Sequence, residues 1–251
     1  MFLLSSANNA FWGYGGRGYG YYGFDWTYLL VIAGLLLSMM ASARVKSTFA
    51  QYSKLRCMAG LTGASAAQKV LHSAGIYDVT IEHVSGDLTD HYDPRSKTLR
   101  LSDSTYGSGS VAAVCVAAHE CGHAIQDKVQ YGPLVLRSTL VPAANFGSSL
   151  AWPVFFAGLI FSLRPLLTLG IVLFSLAVLF QLVTLPVEFD ASRRALRVLE
   201  ENHMLGEVEL AGGKKVLSAA ALTYVASLAA SILQLLRLII LAGERGGRRR
   251  D

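Results

Sequence analysis

His119 and His123 stand four residues apart with Glu120 beside the first of them, in the string His119-Glu120-Cys121-Gly122-His123. On an α-helix, side chains four apart share a face, so the two imidazoles can offer nitrogens to one metal ion. Glu120 sits about 100° around the helix. From there a carboxylate reaches a metal-bound water without displacing it, which is the arrangement a metal-assisted hydrolase needs. Two histidines that merely packed would set ionisable groups against an apolar core at a cost, which favours the metal reading. The preceding run, 111–118, is apolar and follows Ser110, a suitable N-cap, so the motif is expected on a buried, rigid helix. Gly122 leaves room for another backbone or a substrate to approach.

The elements that must position this helix are lipid-facing. Of the 251 residues, 53% are hydrophobic, and the apolar runs are long. The first candidate span is 26–43, just long enough to cross a bilayer. Between Arg137 and Glu188 the only charge is Arg164, followed at once by Pro165. That predicts two spans, 138–163 and 166–187, joined by a tight turn. A fourth run, 216–236, is equivocal. Arg44, Lys46, Lys54 and Arg56 follow the first span, Lys128 and Arg137 precede the second, and Arg193, Arg194 and Arg197 follow the third; only Arg17 precedes the first. The positive-inside rule therefore places the amino terminus outside and the motif on the cytoplasmic side. A fourth full span would carry Arg248, Arg249 and Arg250 outside, against that trend. The last helix is accordingly expected to pack on the catalytic region or lie at the interface, with a cytoplasmic tail.

Three cysteines, Cys57, Cys115 and Cys121, show no disulfide framework, as suits a reducing compartment. Cys115, one turn before His119, could approach the metal, but a small buried hydrophobe is the simpler reading. The net charge of +5 gathers at the span flanks and speaks for anionic lipid headgroups rather than nucleic acid. Residues 11–24 form an aromatic and glycine-rich stretch, expected to anchor at the headgroup zone. Residues 43–73 have helical periodicity punctuated by Gly60 and Gly63, with a short helix over 64–73 ending at Gly75. Strands are expected over 79–84, around His91 and over 98–102. The last of these would lie near the metal and accept an extended peptide as an extra strand. His72, His83 and His91 have no partner at metal spacing and are read as ordinary helix-face or strand residues. After the third span, Pro186 suits the first turn of a new polar helix, and Glu188 is its first ionisable group.

Three segments carry a resemblance: His91-Tyr92-Asp93-Pro94 with Lys97-Thr98-Leu99-Arg100-Leu101-Ser102; Ala117-Ala118-His119-Glu120-Cys121-Gly122-His123-Ala124-Ile125-Gln126; and Leu185-Pro186-Val187-Glu188-Phe189-Asp190-Ala191-Ser192-Arg193-Arg194-Ala195. With the order of spans they make the chain resemble the YugP-type membrane zinc metallopeptidases, relatives of the HtpX and CAAX prenyl protease group. The resemblance implies one Zn2+ per chain, held by His119, His123 and Glu188, with Glu120 as general base. It also implies a mainly α integral membrane protein: a gluzincin-type zinc-protease core with a small β-sheet and three, or with the equivocal run four, transmembrane helices. The corresponding division is an amino-terminal segment 1–25, a span 26–43, a cytoplasmic catalytic region 44–137, a transmembrane hairpin 138–187, and a second catalytic part 188–251. The wider HtpX-like group carries an acidic residue four after the third ligand, where this chain has Ser192. Support behind the ligands is therefore expected from Asp190 or Asp127. For the oxyanion donor, His203, Tyr224 and Arg193 are the available types.

The hairpin makes Glu188 physically reasonable despite its distance in sequence, because two spans of about 25 residues each go out and return to the side and depth at which they began. Glu200, Glu201 and His203 lie three turns or more beyond. The expected activity is a multi-pass inner-membrane (plasma-membrane) endopeptidase with a cytoplasmic site, acting on membrane or membrane-proximal proteins. A catalytically weak membrane scaffold that keeps the fold is the alternative, as is a zinc hydrolase of small amides or lipid-linked peptides. A pure scaffold would have no need of Glu120.

Overall fold

The computed structural model describes residues 25–247. The aromatic stretch at 11–24 and the arginines at 248–250 lie outside the described residues. Within them the elements run α1 (Tyr28–Tyr52), α2 (Gly63–Ser73), β1 (Thr80–His83), β2 (His91–Asp93), β3 (Thr98–Leu101), α3 (Val111–Lys128), α4 (Gly132–Ile160), α5 (Arg164–Glu201) and α6 (Glu207–Gly247).

Four of these helices, α1, α4, α5 and α6, are long and apolar enough to cross a membrane. Their outer faces carry exposed apolar side chains such as Leu35, Met39 and Met40, the surface a lipid solvent accepts and water does not. Small residues set the spacing inside the bundle. A Cβ on Gly147 would lie 2.6 Å from the Leu173 carbonyl, and one on Gly158 would lie 2.7 Å from the Leu167 nitrogen. The two arms α4 and α5 therefore pack backbone to backbone. Their turn passes through Ser162 at φ 54°, and Pro165 lies in the first turn of α5, where its missing N–H costs nothing.

α5 is one helix of 38 residues with Pro186 inside it, so the break expected at that proline does not occur. Proline removes one intrahelical hydrogen bond, and a helix packed against its neighbours survives that loss. The apolar span and the polar segment bearing Glu188 and Ser192 are consequently one continuous helix.

α6 packs on the catalytic core through its first turns, where Gly213 meets Cys115, and is also long and apolar enough to cross a membrane. It runs antiparallel to α1 along its length: Gly212 meets the Tyr52 ring, Gly34 meets Ala230, and Arg237 reaches Asp25 at 3.7 Å and Thr27 Oγ1 at 3.2 Å. Its carboxyl-terminal end therefore lies level with the start of α1. Leu238 there joins Phe155 and Leu167 near the tip of the α4–α5 hairpin, at the opposite end of the bundle from the histidine motif. Loop charge alone would keep the end of α6 on the side of the histidine motif, whereas α6 packs antiparallel to α1 along its length.

The remaining part is built on α2, the sheet, α3, the end of α5 and the start of α6 around one apolar core, with Val70, Leu99, Leu101, Val114 and Leu199 fully buried. Thr62 and Ser65 cap α2 reciprocally, satisfying amide groups that the first turn leaves unpaired. In the sheet the strand order is β1-β3-β2, with β1 parallel and β2 antiparallel to β3. β3 is thus central. Both its edges are paired and it cannot take a further strand, contrary to the expectation for 98–102. The free edge nearest the motif belongs to β2.

Candidate metal centre

α3 begins where the sequence indicates. Ser110 is extended, at φ −89° and ψ 155°, and its hydroxyl accepts from the Ala113 amide at 3.2 Å, a standard N-cap. The helix is buried from Val111 to Cys115 and holds His119 and His123 on one face, ring centroids 4.9 Å apart. α5 crosses that face very closely. A Cβ on Gly122 would stand 2.5 Å from the Ala191 carbonyl oxygen, so only glycine permits the approach.

The crossing brings Glu188 to the histidines. Its Oε2 lies 3.4 Å from Nε2 of His119 and 3.6 Å from Nε2 of His123. The side chain is 3% exposed, and Oε2 is buried without a hydrogen-bond partner. An orphaned buried carboxylate oxygen is costly unless a cation completes it. Donors on a tetrahedral zinc at 2.0–2.1 Å lie about 3.3 Å from one another, close to the two spacings observed. His119, His123 and Glu188 form a group able to hold a metal ion, and two imidazoles with one carboxylate suit zinc.

The other ring nitrogens are already engaged. His123 Nδ1 is 3.0 Å from Gln126 Oε1, while the amide nitrogen of Gln126 donates to the Val187 carbonyl at 2.8 Å and to Asp190 Oδ2 at 3.0 Å. With its NH2 spent on those acceptors, Gln126 presents its oxygen to His123. Nδ1 then carries the proton and Nε2 keeps its lone pair. His119 Nδ1 is 3.1 Å from Ser192 Oγ. Support behind the histidines therefore comes from Gln126 and from Ser192 itself. Asp190 acts only through Gln126, and Asp127 binds the Tyr92 hydroxyl at 3.0 Å and Lys97 at 2.5 Å, tying the sheet to α3.

Two cavities, of about 190 and about 300 Å³, meet at this group and share Asp90, His119, Glu120, Glu188 and Tyr224. The smaller is walled by α1 and α6 through Val45, Phe49, Val216 and Ala220. The larger is bounded by His91, Tyr92 and Pro94 around β2 and by Leu134, Arg137 and Ser138 of α4. Of the oxyanion candidates only Tyr224 lines them; Arg193 and His203 are exposed elsewhere. Asp90 is held by Ser102 and Thr105 and pins the loop before β2.

Cys115 takes no part. It packs where α6 passes at Gly213, and burial pushes its thiol up to about 12. His72 packs against Tyr77, His83 bonds Asp103 at 2.6 Å, and His91 bonds the Thr89 carbonyl. None belongs to the metal-competent group. Sequence reasoning missed Gln126 and Arg137. The first sits three residues after His123 on the same helix face, a readable signal; the second reads only as a flanking charge until the fold places it.

Comparison with known proteins points to zinc chemistry in kind. The chain matches the family described as "Putative neutral zinc metallopeptidase" over residues 27–243. It is 48% identical over 212 residues, 84% of this chain and 94% of the other, to the "Putative membrane protease YugP" of Bacillus subtilis (strain 168). No solved structure matches it. With nearly all of its described length matched, the chain belongs to the neutral zinc metallopeptidase family.

Proposed function

We propose that the protein is a membrane-embedded zinc endopeptidase that cleaves membrane or membrane-proximal polypeptides on the cytoplasmic side. The observation that carries the reading is the unpartnered Oε2 of Glu188 facing two imidazoles whose far nitrogens are already hydrogen-bonded. His119, His123 and Glu188 would hold the ion. Zinc in such a site acts as Lewis acid and lowers the pKa of its water to about 7.

The remaining roles fall to side chains around the two cavities. The Glu120 carboxylate takes the proton of the attacking water and returns it to the leaving amine nitrogen. Tyr224, across the site, donates its hydroxyl hydrogen to the developing oxyanion. An extended substrate has the free edge of β2 beside the larger cavity as its backbone partner. The smaller cavity, walled by two helices long enough to span a membrane, receives an apolar side chain and favours substrates drawn from the bilayer surface. The basic clusters in the last part of α1 and just after it, and within α5, support the cytoplasmic orientation. Glu120 at the junction of both cavities speaks against a scaffold role.

The test is metal analysis and cleavage assays on full-length protein in detergent. One zinc per chain is expected, lost in E188A and retained in E200A and E201A. E120Q should keep zinc and lower turnover by about 10² to 10⁴. An E120Q protein that cleaves a peptide substrate at the parental rate would remove Glu120 from the mechanism.

A further inference from the structure

The two oxygens of Glu188 face different partners. Oε2 points at the histidine pair, whereas Oε1 lies 3.7 Å from a terminal nitrogen of Arg137. Arg137 belongs to the second turn of α4, at the foot of the hairpin whose other arm carries Glu188. Its side chain is 31% exposed and lines the larger cavity, so it is not a buried cation seeking any available anion. Tyr224 stands on the same side, close to Glu188 and Arg137. A carboxylate free of such a partner can swing to bind a zinc ion through both oxygens, which adds a ligand and crowds the position needed by water.

Resting on the zinc-site reading above, we propose that Arg137 is a positioning residue: its guanidinium holds Oε1 on the α4 side, so that Glu188 offers Oε2 alone and the centre keeps three protein donors. The contact needs a positive charge at that place rather than a two-pronged fork, because a single nitrogen is in range. It also links the hairpin to the site. A shift of α4 against α5 would change how Glu188 presents itself.

Cobalt(II) substitution reads this directly, since its visible absorption is strong in four-coordinate sites and weak in five-coordinate ones. Full-length protein is stripped of metal in detergent and titrated with cobalt(II). Wild type should bind one equivalent with strong absorption; R137Q should bind one equivalent with absorption reduced by about half or more; R137K should restore the wild-type spectrum. R137Q with the parental spectrum overturns the proposal, and if only KM rises, the guanidinium serves the substrate instead. A R137Q chain that fails to fold leaves R137K as the discriminator, where a weakened spectrum at full cobalt occupancy overturns it. If wild type binds no cobalt or zinc, the zinc-site reading itself fails and this proposal falls with it, an outcome distinct from a parental spectrum in R137Q.

Discussion

Ser192 Oγ lies 3.1 Å from Nδ1 of His119, one turn beyond Glu188 on the same face of α5, so a single helix supplies both a carboxylate to the metal site and a partner to the histidine opposite. The wider group that this chain resembles has an acidic residue at that position. A hydroxyl orients the ring without adding charge. S192A should therefore weaken zinc affinity by about tenfold, at the low end of what losing such a partner costs, while S192D should hold zinc at least as tightly as wild type. Competition with a chromophoric chelator measures both, and equal affinities for all three proteins would show that the contact does not orient His119.

The crossing of α3 and α5 makes Gly122 the most sensitive small residue near the site. Alanine would gain about 1 kcal/mol of helix propensity. Its methyl, however, would meet the Ala191 carbonyl at 2.5 Å, and backbone in a packed crossing cannot step aside, so overpacking of about 1–3 kcal/mol wins. G122A should lose zinc to a weak chelator faster than wild type and unfold at lower temperature. A G122A protein with unchanged zinc retention would mean that the helices separate freely.

The thiols give a check on the core. Cys57, Cys115 and Cys121 are all buried, and burial raises Cys115 to about 12 and Cys121 well above its ordinary value. At pH 8, four units below, only about one Cys115 in 10⁴ would be thiolate even if reagent reached it. Native protein should take up no iodoacetamide at these two positions over hours, with full labelling after denaturation. Rapid labelling of Cys115 in the folded protein would show that α6 does not cover α3 at Gly213.

How far these features can be read in the sequence follows from how local they are. The His119 and His123 pair, the Ser110 cap and the α2 boundaries depend on spacings of three or four residues. The approach of Glu188 follows from the length of two spans, a constraint the bilayer imposes. Strand order depends on tertiary pairing: β1 pairs directly with β3 in parallel and β2 takes the far side, an order that no spacing along the chain announces. Gln126 and Ser192 take their roles only once α5 lies across α3. Pro186 reads as a helix start because local chemistry favours that, yet packing carries α5 through it.

The end of α6 gives the sharpest contrast between charge and packing. Loop arginines alone would keep 248–250 on the side of the histidine motif. The structure instead runs α6 back along α1 until Arg237 meets Asp25, Thr27 and the Tyr28 ring, the last at 4.1 Å. An Arg engaged by a carboxylate, a hydroxyl and an aromatic face is costly to pull away from the α1 start. Leu238, one residue on, packs with Phe155 and Leu167 beside the hairpin turn. Three separate elements, the α1 start, the hairpin tip and the α6 end, thus share one end of the bundle. If α1 crosses the membrane, α6 crosses with it. A topology reporter fused behind Gly247 should therefore read the same side as one inserted at Arg164, and reporters after Arg56 and Arg197 should read the opposite, cytoplasmic side. A cytoplasmic signal behind Gly247, with Arg164 external, would show that α6 leaves α1 in the bilayer and that the charge rule governs this terminus.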